Sequence, residues 1–244
     1  MEREAYDRLR DIEQDHWWFA ARRQILASEI ARLPLPRPAR ILEAGCGAGG
    51  NLGLLSRFGA VCAVEPDEES RIYASSRCAG ASIAAGSLPD GLPDFGHRFD
   101  LVAAFDVLEH VEEDGAALEA LRGRLNPGGF LVATVPAYRW LWSEHDRRHH
   151  HWRRYRRTAL RRLAETAGFE VRRATYFNTL LFPAIAAVRL GKAALGRPGG
   201  DDEAEASPLV NRVLKATFGA ERGLLRRTDL PFGVSILMIA QPRG

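Results

Sequence analysis

The 244-residue chain predicts an α/β fold, a doubly wound, seven-stranded, mostly parallel sheet. Three observations predict it. From Arg40 onward, short apolar strand-like runs alternate with helix-like stretches. A glycine-rich turn, Gly45-Cys-Gly47-Ala-Gly49-Gly50, follows the first of these runs. The run Phe99–Phe105 is almost continuously apolar, as in a strand covered on both faces. A 46% hydrophobic and 27% charged composition, at this length, suits one large globular domain with a sizeable core.

Each element follows from local chemistry. Residues 3–31 read as helical, with Tyr6, Leu9 and Ile12 at helical spacing. The proline-rich run Leu33–Pro38 stops that helix and stiffens the link to the sheet. Arg40–Glu43 reads as strand one, 51–58 as a short helix, and Ala60–Val64 as strand two, ending at Glu65-Pro66-Asp67. Residues 68–78 look helical and Ala81–Ala85 is a weak third strand. Phe99–Phe105 is the fourth, a helix covers 112–125 and closes at Asn126-Pro-Gly-Gly129, and Phe130–Val135 is the fifth. Thr158 is placed to cap a helix with Leu160, Leu163, Ala164 and Ala167 on one stripe and Gly168 as its stop. Phe169–Thr175 and Val234–Ala240 complete the strands. The expected organisation is a single domain over 1–244: a helical cap at 1–36, a core at 37–175, a helical insertion at 176–230 and a last strand at 231–244.

Charge and cysteine usage narrow the function classes. A net charge of +3 and a pI near 9.0 are too mild to imply nucleic acid, and no RNA-binding module is recognisable. Cys46, Cys62 and Cys78 have no metal-ligand spacing and read as buried free thiols in a reducing cytoplasm. The charged start Met-Glu-Arg-Glu has no apolar core, so no secretory signal and a cytoplasmic location are expected. Tyr176–Leu190 is apolar but interrupted at Pro183, too short to span a bilayer with conviction. Residues 197–207 read as an acidic mobile loop and 208–227 as a basic amphipathic helix, which leaves peripheral membrane contact open.

The glycine-rich turn lets backbone approach a ligand, and the helix after it points free N–H groups at the same spot. Gly45-x-Gly47-x-x-Gly50, with Glu65 about 20 residues on, fits a dinucleotide fingerprint. Glu43 argues otherwise, because a carboxylate there repels a pyrophosphate and favours a ligand carrying an ammonium and a sulfonium. A turn that binds nothing is the bland alternative. Glu43, Glu65 and Asp106 all fall at the carboxyl ends of strands, where ligands of such sheets bind. Glu65 is suited to accept both ribose hydroxyls, and Gly86-Ser87-Leu88-Pro89 suits an adenine edge through its backbone.

The pattern Glu43-x-Gly45-x-Gly47-x-Gly49 resembles motif I of class I S-adenosylmethionine-dependent methyltransferases. Asp106-x-x-Glu109-His110 after strand four, with Asn-Pro-Gly-Gly before strand five, is similar to the motif series of small-molecule methyltransferases that include the quinone-biosynthesis enzymes. In some relatives such an acid-x-x-Glu-His cluster binds a divalent metal and in others the histidine is a base. Glu109 and His110 that merely bond the adjacent loop are the third option, and no metal is expected. His16-Trp-Trp-Phe-x-x-Arg22-Arg23, and the stretch from Pro136 to Tyr155, resemble a bacterial group of class I methyltransferases of mostly unassigned substrate. Two departures stand out. Ser87 replaces the usual acid after strand three, and the segment after residue 176 is extra.

The resemblance implies a Rossmann-like methyltransferase fold and S-adenosyl-L-methionine as cofactor. Its donor site would use Glu43, Gly45, Gly47, Gly49, Asn51, Glu65, Pro66, Ser87, Leu88 and Asp106, closed by Trp18 and Arg22. His110, His145 and His151 are the candidate bases. Eight arginines and four histidines crowd residues 145–162 among aromatics, so Tyr138, Trp142, Arg154 and Tyr155 are expected to line an acceptor mouth. The acceptor is expected to be a small or lipid-linked molecule methylated on oxygen. A solvated basic face and a nucleic-acid contact are the other readings of that stretch. A methyltransferase-like module without catalysis, and a nicotinamide-dependent oxidoreductase, are the rival functions.

Overall fold

The structure, a computed structural model, describes residues 8, 10–194 and 206–244. Tyr6 and Leu9, and residues 197–205 of the expected acidic loop, lie outside the described residues.

Seven strands form one sheet: β1 (Ala39–Ala44), β2 (Gly59–Val64), β3 (Ser82–Ala84), β4 (Phe99–Phe105), β5 (Leu125–Pro136), β6 (Phe169–Phe177) and β7 (Ser235–Pro242). Their order is β3-β2-β1-β4-β5-β7-β6, with β7 antiparallel to both neighbours and every other pair parallel. β6 therefore runs in the same direction as β5. The central strands carry apolar residues on both sides because both sides are covered. On one face, Ala117, Leu118 and Leu121 of α4 (Asp114–Gly123) and Leu160 and Ala164 of α6 (Arg157–Thr166) are buried against the sheet. On the other lie α1 (Trp17–Ile30), the short α2 (Leu52–Leu55), Ala74 of α3 (Glu68–Arg77), and α8 (Pro208–Leu225). A short α5 (Glu144–Arg148) and an outlying α7 (Phe182–Ala194) complete the described elements.

Four expectations need correction. The N-terminal helix is not continuous: a turn over 13–16 separates helical backbone at 10–12 from α1. Arg23 fixes that turn by donating to the Glu13 and Gln14 carbonyls. Asn126-Pro-Gly-Gly129 does not end before the fifth strand but lies within β5, at a register shift against β4. A Cβ on Gly129 would sit 3.0 Å from the Phe99 carbonyl oxygen, so glycine permits that close pass. Thr158 is not the cap of α6. Arg156 precedes the helix without a side-chain cap, and the Tyr176 hydroxyl accepts the Arg157 N–H at 3.2 Å. Gly168 (φ 86°) does supply the left-handed stop.

The last correction concerns the segment 176–230. Its two helices do stand between β6 and β7, but they begin later than expected: Tyr176 and Phe177 still belong to β6, and α8 packs along α1. Phe218 of α8 is fully buried between the rings of Phe177 (6.0 Å) and Trp17 (6.1 Å). The second half of α8, through Phe218 and Leu225, thus finds its partner inside the molecule.

Candidate active site

A cavity of about 510 Å³ opens along the edge of the sheet where β1, β2, β4 and β6 end and β7 begins. At its β2–β1 side the wall is the glycine-rich turn. Gly45 (φ 71°) and Gly47 (φ 52°) are both left-handed. A Cβ at Gly45 would meet Val107 Cγ2 at 2.8 Å, whereas one at Gly47 would meet nothing within 4 Å and would project into the open cleft. Asn51, Pro66, Ser87 and Leu88 also line the wall here. Glu65 is 4% exposed, accepting the Gly47 N–H at 2.9 Å and the Asp67 N–H at 3.1 Å. Burial raises its pKa although both N–H groups favour the carboxylate.

Glu43 and Gly49 are not in the wall. Glu43 sits one residue inside β1, so its side chain enters the packed layer and is fully buried. Its Oε1 accepts from Asn51 Nδ2 at 3.0 Å, and its Oε2 has no hydrogen-bond partner. Burial pushes its pKa up to about 8. Glu43 therefore reaches the cavity wall only through Asn51, not as a charge in it. Gly49 (φ 85°) faces Ala74 of α3, where a Cβ would lie 3.0 Å away.

Above this floor, α1 brings Trp18 and Arg22. Arg22 is 4% exposed, ion-paired with Asp106 at the end of β4, and lies over the Trp18 ring at 4.7 Å. Thr134 of β5 donates to the other Asp106 oxygen at 3.0 Å. Asp106 itself is left-handed (φ 57°), held by an N–H bond to the Thr134 carbonyl.

The β5–β6 side of the cavity is a polar chamber. His110, His145, His149, His151 and Arg154 line it, with Glu109. The loop that carries most of them is pinned by Asp146, which is fully buried. Asp146 accepts from Arg154 Nε (2.7 Å) and Nη2 (2.8 Å) and from the Ser143 N–H (2.7 Å), and it pairs with His151 Nδ1 at 2.8 Å. Burial alone would raise the Asp146 pKa, but His151, Arg154 and Ser143 together hold it well below the usual carboxylate range. A main-chain bond from Trp152 N–H to the Glu109 carbonyl (2.8 Å) brings this loop against the turn after β4. The His110 and His151 rings then meet edge to face at 4.5 Å.

The three predicted bases differ. His110 has its pKa lowered to about 3 by burial and by His151 and His149, so it is a poor proton acceptor. His151 is also lowered by burial, but its carboxylate partner opposes the shift. With Nδ1–H given to Asp146, His151 keeps Nε2 as the acceptor. His145 stacks on His149 at 4.0 Å.

Of the predicted acceptor contacts, only Arg154 reaches the cavity. Tyr155 is buried, its hydroxyl bonded to Asp114 at 2.8 Å, because its main chain bridges to Ala137 beside β5. Tyr138 stacks on Tyr176 (5.1 Å) and Trp140 (5.7 Å) outside the wall, and Trp142 is likewise outside it.

Two site features were missed. Asn178 follows β6, is fully buried and left-handed (φ 57°), and lines the cavity with no hydrogen-bond partner for either amide atom. The rule that strand ends reach the ligand, applied to β6, would have found it. Glu221 of α8 fixes this corner by accepting the Leu180 N–H at 2.7 Å. The second is the make-up of the metal centre that the acid-x-x-Glu-His motif left open: His151, not Asp106, joins Glu109 and His110. Glu109, His110 and His151 each bring one ligand atom to within 4.8 Å of the others. Glu109 Oε2 is buried without a partner, and burial next to Asp106 raises the Glu109 pKa.

Comparison with known proteins fits this geometry. The methyltransferase domain family matches residues 18–174. A ubiquinone biosynthesis O-methyltransferase of Azorhizobium caulinodans is 33% identical over 100 residues, 39% of this chain and 40% of the relative's length. A protein of Mycolicibacterium smegmatis named "Probable S-adenosylmethionine-dependent methyltransferase" is 28% identical over 164 residues, 66% of this chain and 62% of its own. The matched stretches thus span about two-fifths to three-fifths of these relatives. Among solved structures, a methyltransferase in complex with the Haloferax volcanii activator Trm112 superposes with a TM-score of 0.66 at 18% identity, covering 99% of this chain and 95% of that one.

Proposed function

Because this chain belongs to the S-adenosylmethionine-dependent methyltransferase family, we propose that it moves the donor's methyl group to an oxygen of a small or lipid-linked acceptor. Bound S-adenosylmethionine supplies an electrophilic methyl on a sulfonium, a good leaving group. The chain's residues align the partners and exclude water. The glycine turn and Asn51 take the donor's amino-acid end, Glu65 accepts the ribose hydroxyls, and Ser87-Leu88 flank the base. Trp18 and Arg22 close the top.

The acceptor hydroxyl enters the histidine chamber. Its oxygen forms a bond to the methyl carbon as the carbon–sulfur bond breaks and the pair returns to sulfur. The hydroxyl proton passes to His151 Nε2, and Asp146 steadies the resulting imidazolium. Asn178 offers one donor and one acceptor to the rest of the molecule.

The observation that carries this reading is one cavity with both the glycine turn and the Asp146–His151 pair in its wall or directly behind it. Binding calorimetry tests the donor: we expect saturable binding of S-adenosylmethionine and none of NAD. NAD binding in its place would make the chain an oxidoreductase.

The geometry of Glu109, His110 and His151 favours one second reading, in which they hold a divalent cation that lowers the acceptor's pKa. The His151–Asp146 bond is the outer support such a ligand needs. Methyl transfer in excess chelator separates the two: the base reading expects full activity, and the metal reading expects loss with return on adding magnesium, manganese or zinc.

A further inference from the structure

Ile72, Trp152 and Leu224 apart, the large exposed apolar side chains among the described residues fall in two segments, around α7 and at the start of α8. Trp140, Leu180, Val188, Leu190 and Phe232, with Leu209, Val210 and Val213 at the start of α8, are all more than two-fifths exposed. Each segment borders the cavity. On α7, Ile185 and Arg189, one turn apart, line the cavity wall, and Arg189 Nη1 donates to the Leu141 carbonyl at 2.5 Å. The opposite side of the same helix presents Pro183, Ala184, Ala187, Val188 and Leu190 to solvent, at positions that share one arc at 3.6 residues per turn. At the start of α8, Asn211 accepts the N–H of Trp17, another wall residue, at 2.7 Å. Its neighbours Leu209, Val210 and Val213 are exposed. The rings of Trp140, Phe182 and Phe232 connect at 5.9 and 5.4 Å at the foot of α7.

Charge says what this rim meets. The sequence from Val171 to Gly200 holds no Asp or Glu, nor does the stretch from Ala206 to Ala220. Exposed Arg139 and Arg212, and half-exposed Lys192 and Lys215, flank the apolar residues. The acids at 201–205 lie outside the described residues. No helix among the described residues is long and apolar enough to cross a membrane. An apolar helix face with cations at its margins and aromatic rings at its edge is the composition of an element that lies in a bilayer interface.

We propose that α7 and the start of α8 rest on an anionic lipid bilayer, so that the cavity mouth faces the membrane and receives a lipid-linked acceptor from it. This deepens the methyltransferase reading by choosing between its two acceptor classes. It also explains why the outer side of a helix whose inner side builds the site carries no polar residue from Phe182 to Leu190 except Arg189, which turns inward.

Sedimentation with vesicles of phosphatidylcholine, alone or mixed with phosphatidylglycerol, tests the surface without any acceptor. The full chain should pellet with the anionic vesicles and stay in solution with the neutral ones. Val188→Asp and Val213→Asp, both at exposed positions, should each weaken anionic-vesicle binding about tenfold or more. Their S-adenosylmethionine affinity should not change. Recovery in the supernatant with both vesicle types overturns the proposal, as does equal binding by the variants. A dimer in analytical ultracentrifugation that Val188→Asp dissolves would also overturn it, by making the face a contact between copies. Failure to bind S-adenosylmethionine would sink the methyltransferase reading while leaving the vesicle result to stand on its own.

Discussion

Two acids near the glycine turn look alike in sequence and behave differently in space. Glu65 faces the cavity and is held by two backbone N–H groups. Glu65→Ala should weaken S-adenosylmethionine about tenfold or more, since a hydrogen bond to a charged group contributes about 1.5–3 kcal/mol. Unchanged affinity in calorimetry would remove Glu65 from the donor site. Glu43 lies behind the wall with a pKa pushed up to about 8. Its folded pKa is above its unfolded value, so the folded state prefers the neutral carboxyl. That preference contributes stability below the unfolded pKa and is lost as pH rises through about 8. Glu43→Gln keeps the shape and removes the proton. The variant should therefore gain relative to the parent between acid and alkaline pH, by a few kcal/mol at most, at about 1.4 kcal/mol per pKa unit. Urea melts of both proteins across that range check it. Parallel curves would show that Glu43 is ionised in the folded chain.

The loop between β5 and α6 is the element on which the histidine chamber depends, and Asp146 is its anchor. One buried carboxylate takes up the Arg154 fork, the His151 ring and a main-chain N–H. Asp146→Asn leaves the Arg154 charge buried without its partner, a loss of about 3–5 kcal/mol for pairs of this kind. The folded pKa of Asp146 is depressed, so its contribution is present at neutral pH and is lost as pH falls below the unfolded carboxylate value. The stability gap between parent and variant should accordingly close in acid. A gap that stayed constant with pH would mean the pair is not an ion pair. The chemistry of this loop was legible as composition, since His145 to Tyr155 is plainly too charged for core. Its orientation was not. Tyr155, Tyr138 and Trp142 turn away because the Ala137–Tyr155 bridge fixes which side of the chain faces the sheet, a long-range pairing that spacing does not encode. β1, β2 and β4 were legible because parallel strands buried on both faces leave apolar runs ending in acids. The break at 13–16 was not, because it rests on Arg23 reaching two carbonyls.

At the scale of the whole molecule, the two ends of the chain complete the fold together. α1 comes before the first strand and α8 before the last, yet they pack side by side over one face of the sheet. Trp17 and Arg22 of α1 stand in the cavity wall, so what holds α1 also holds the roof of the cavity. Phe218 is the centre of that contact, fully buried on Phe177 and Trp17. Arg173 of β6 adds a second tie, reaching Glu29 of α1 at 2.5 Å and the Leu225 carbonyl of α8 at 2.7 Å. Phe218→Ala should cost about 3–5 kcal/mol, the range for removing a buried aromatic ring. Because α1 roofs the cavity proposed to take the donor, the same variant should weaken S-adenosylmethionine binding although no atom of Phe218 lines the cavity. Denaturant melts with and without the donor measure both effects. If Phe218→Ala lowers stability but leaves donor affinity at the parent value, α1 is held over the site by its own contacts with the glycine turn and Asp106. If it lowers both, the carboxyl-terminal helix is part of the donor site's support, and residues far apart in sequence set the affinity of the turn at Gly45–Gly50.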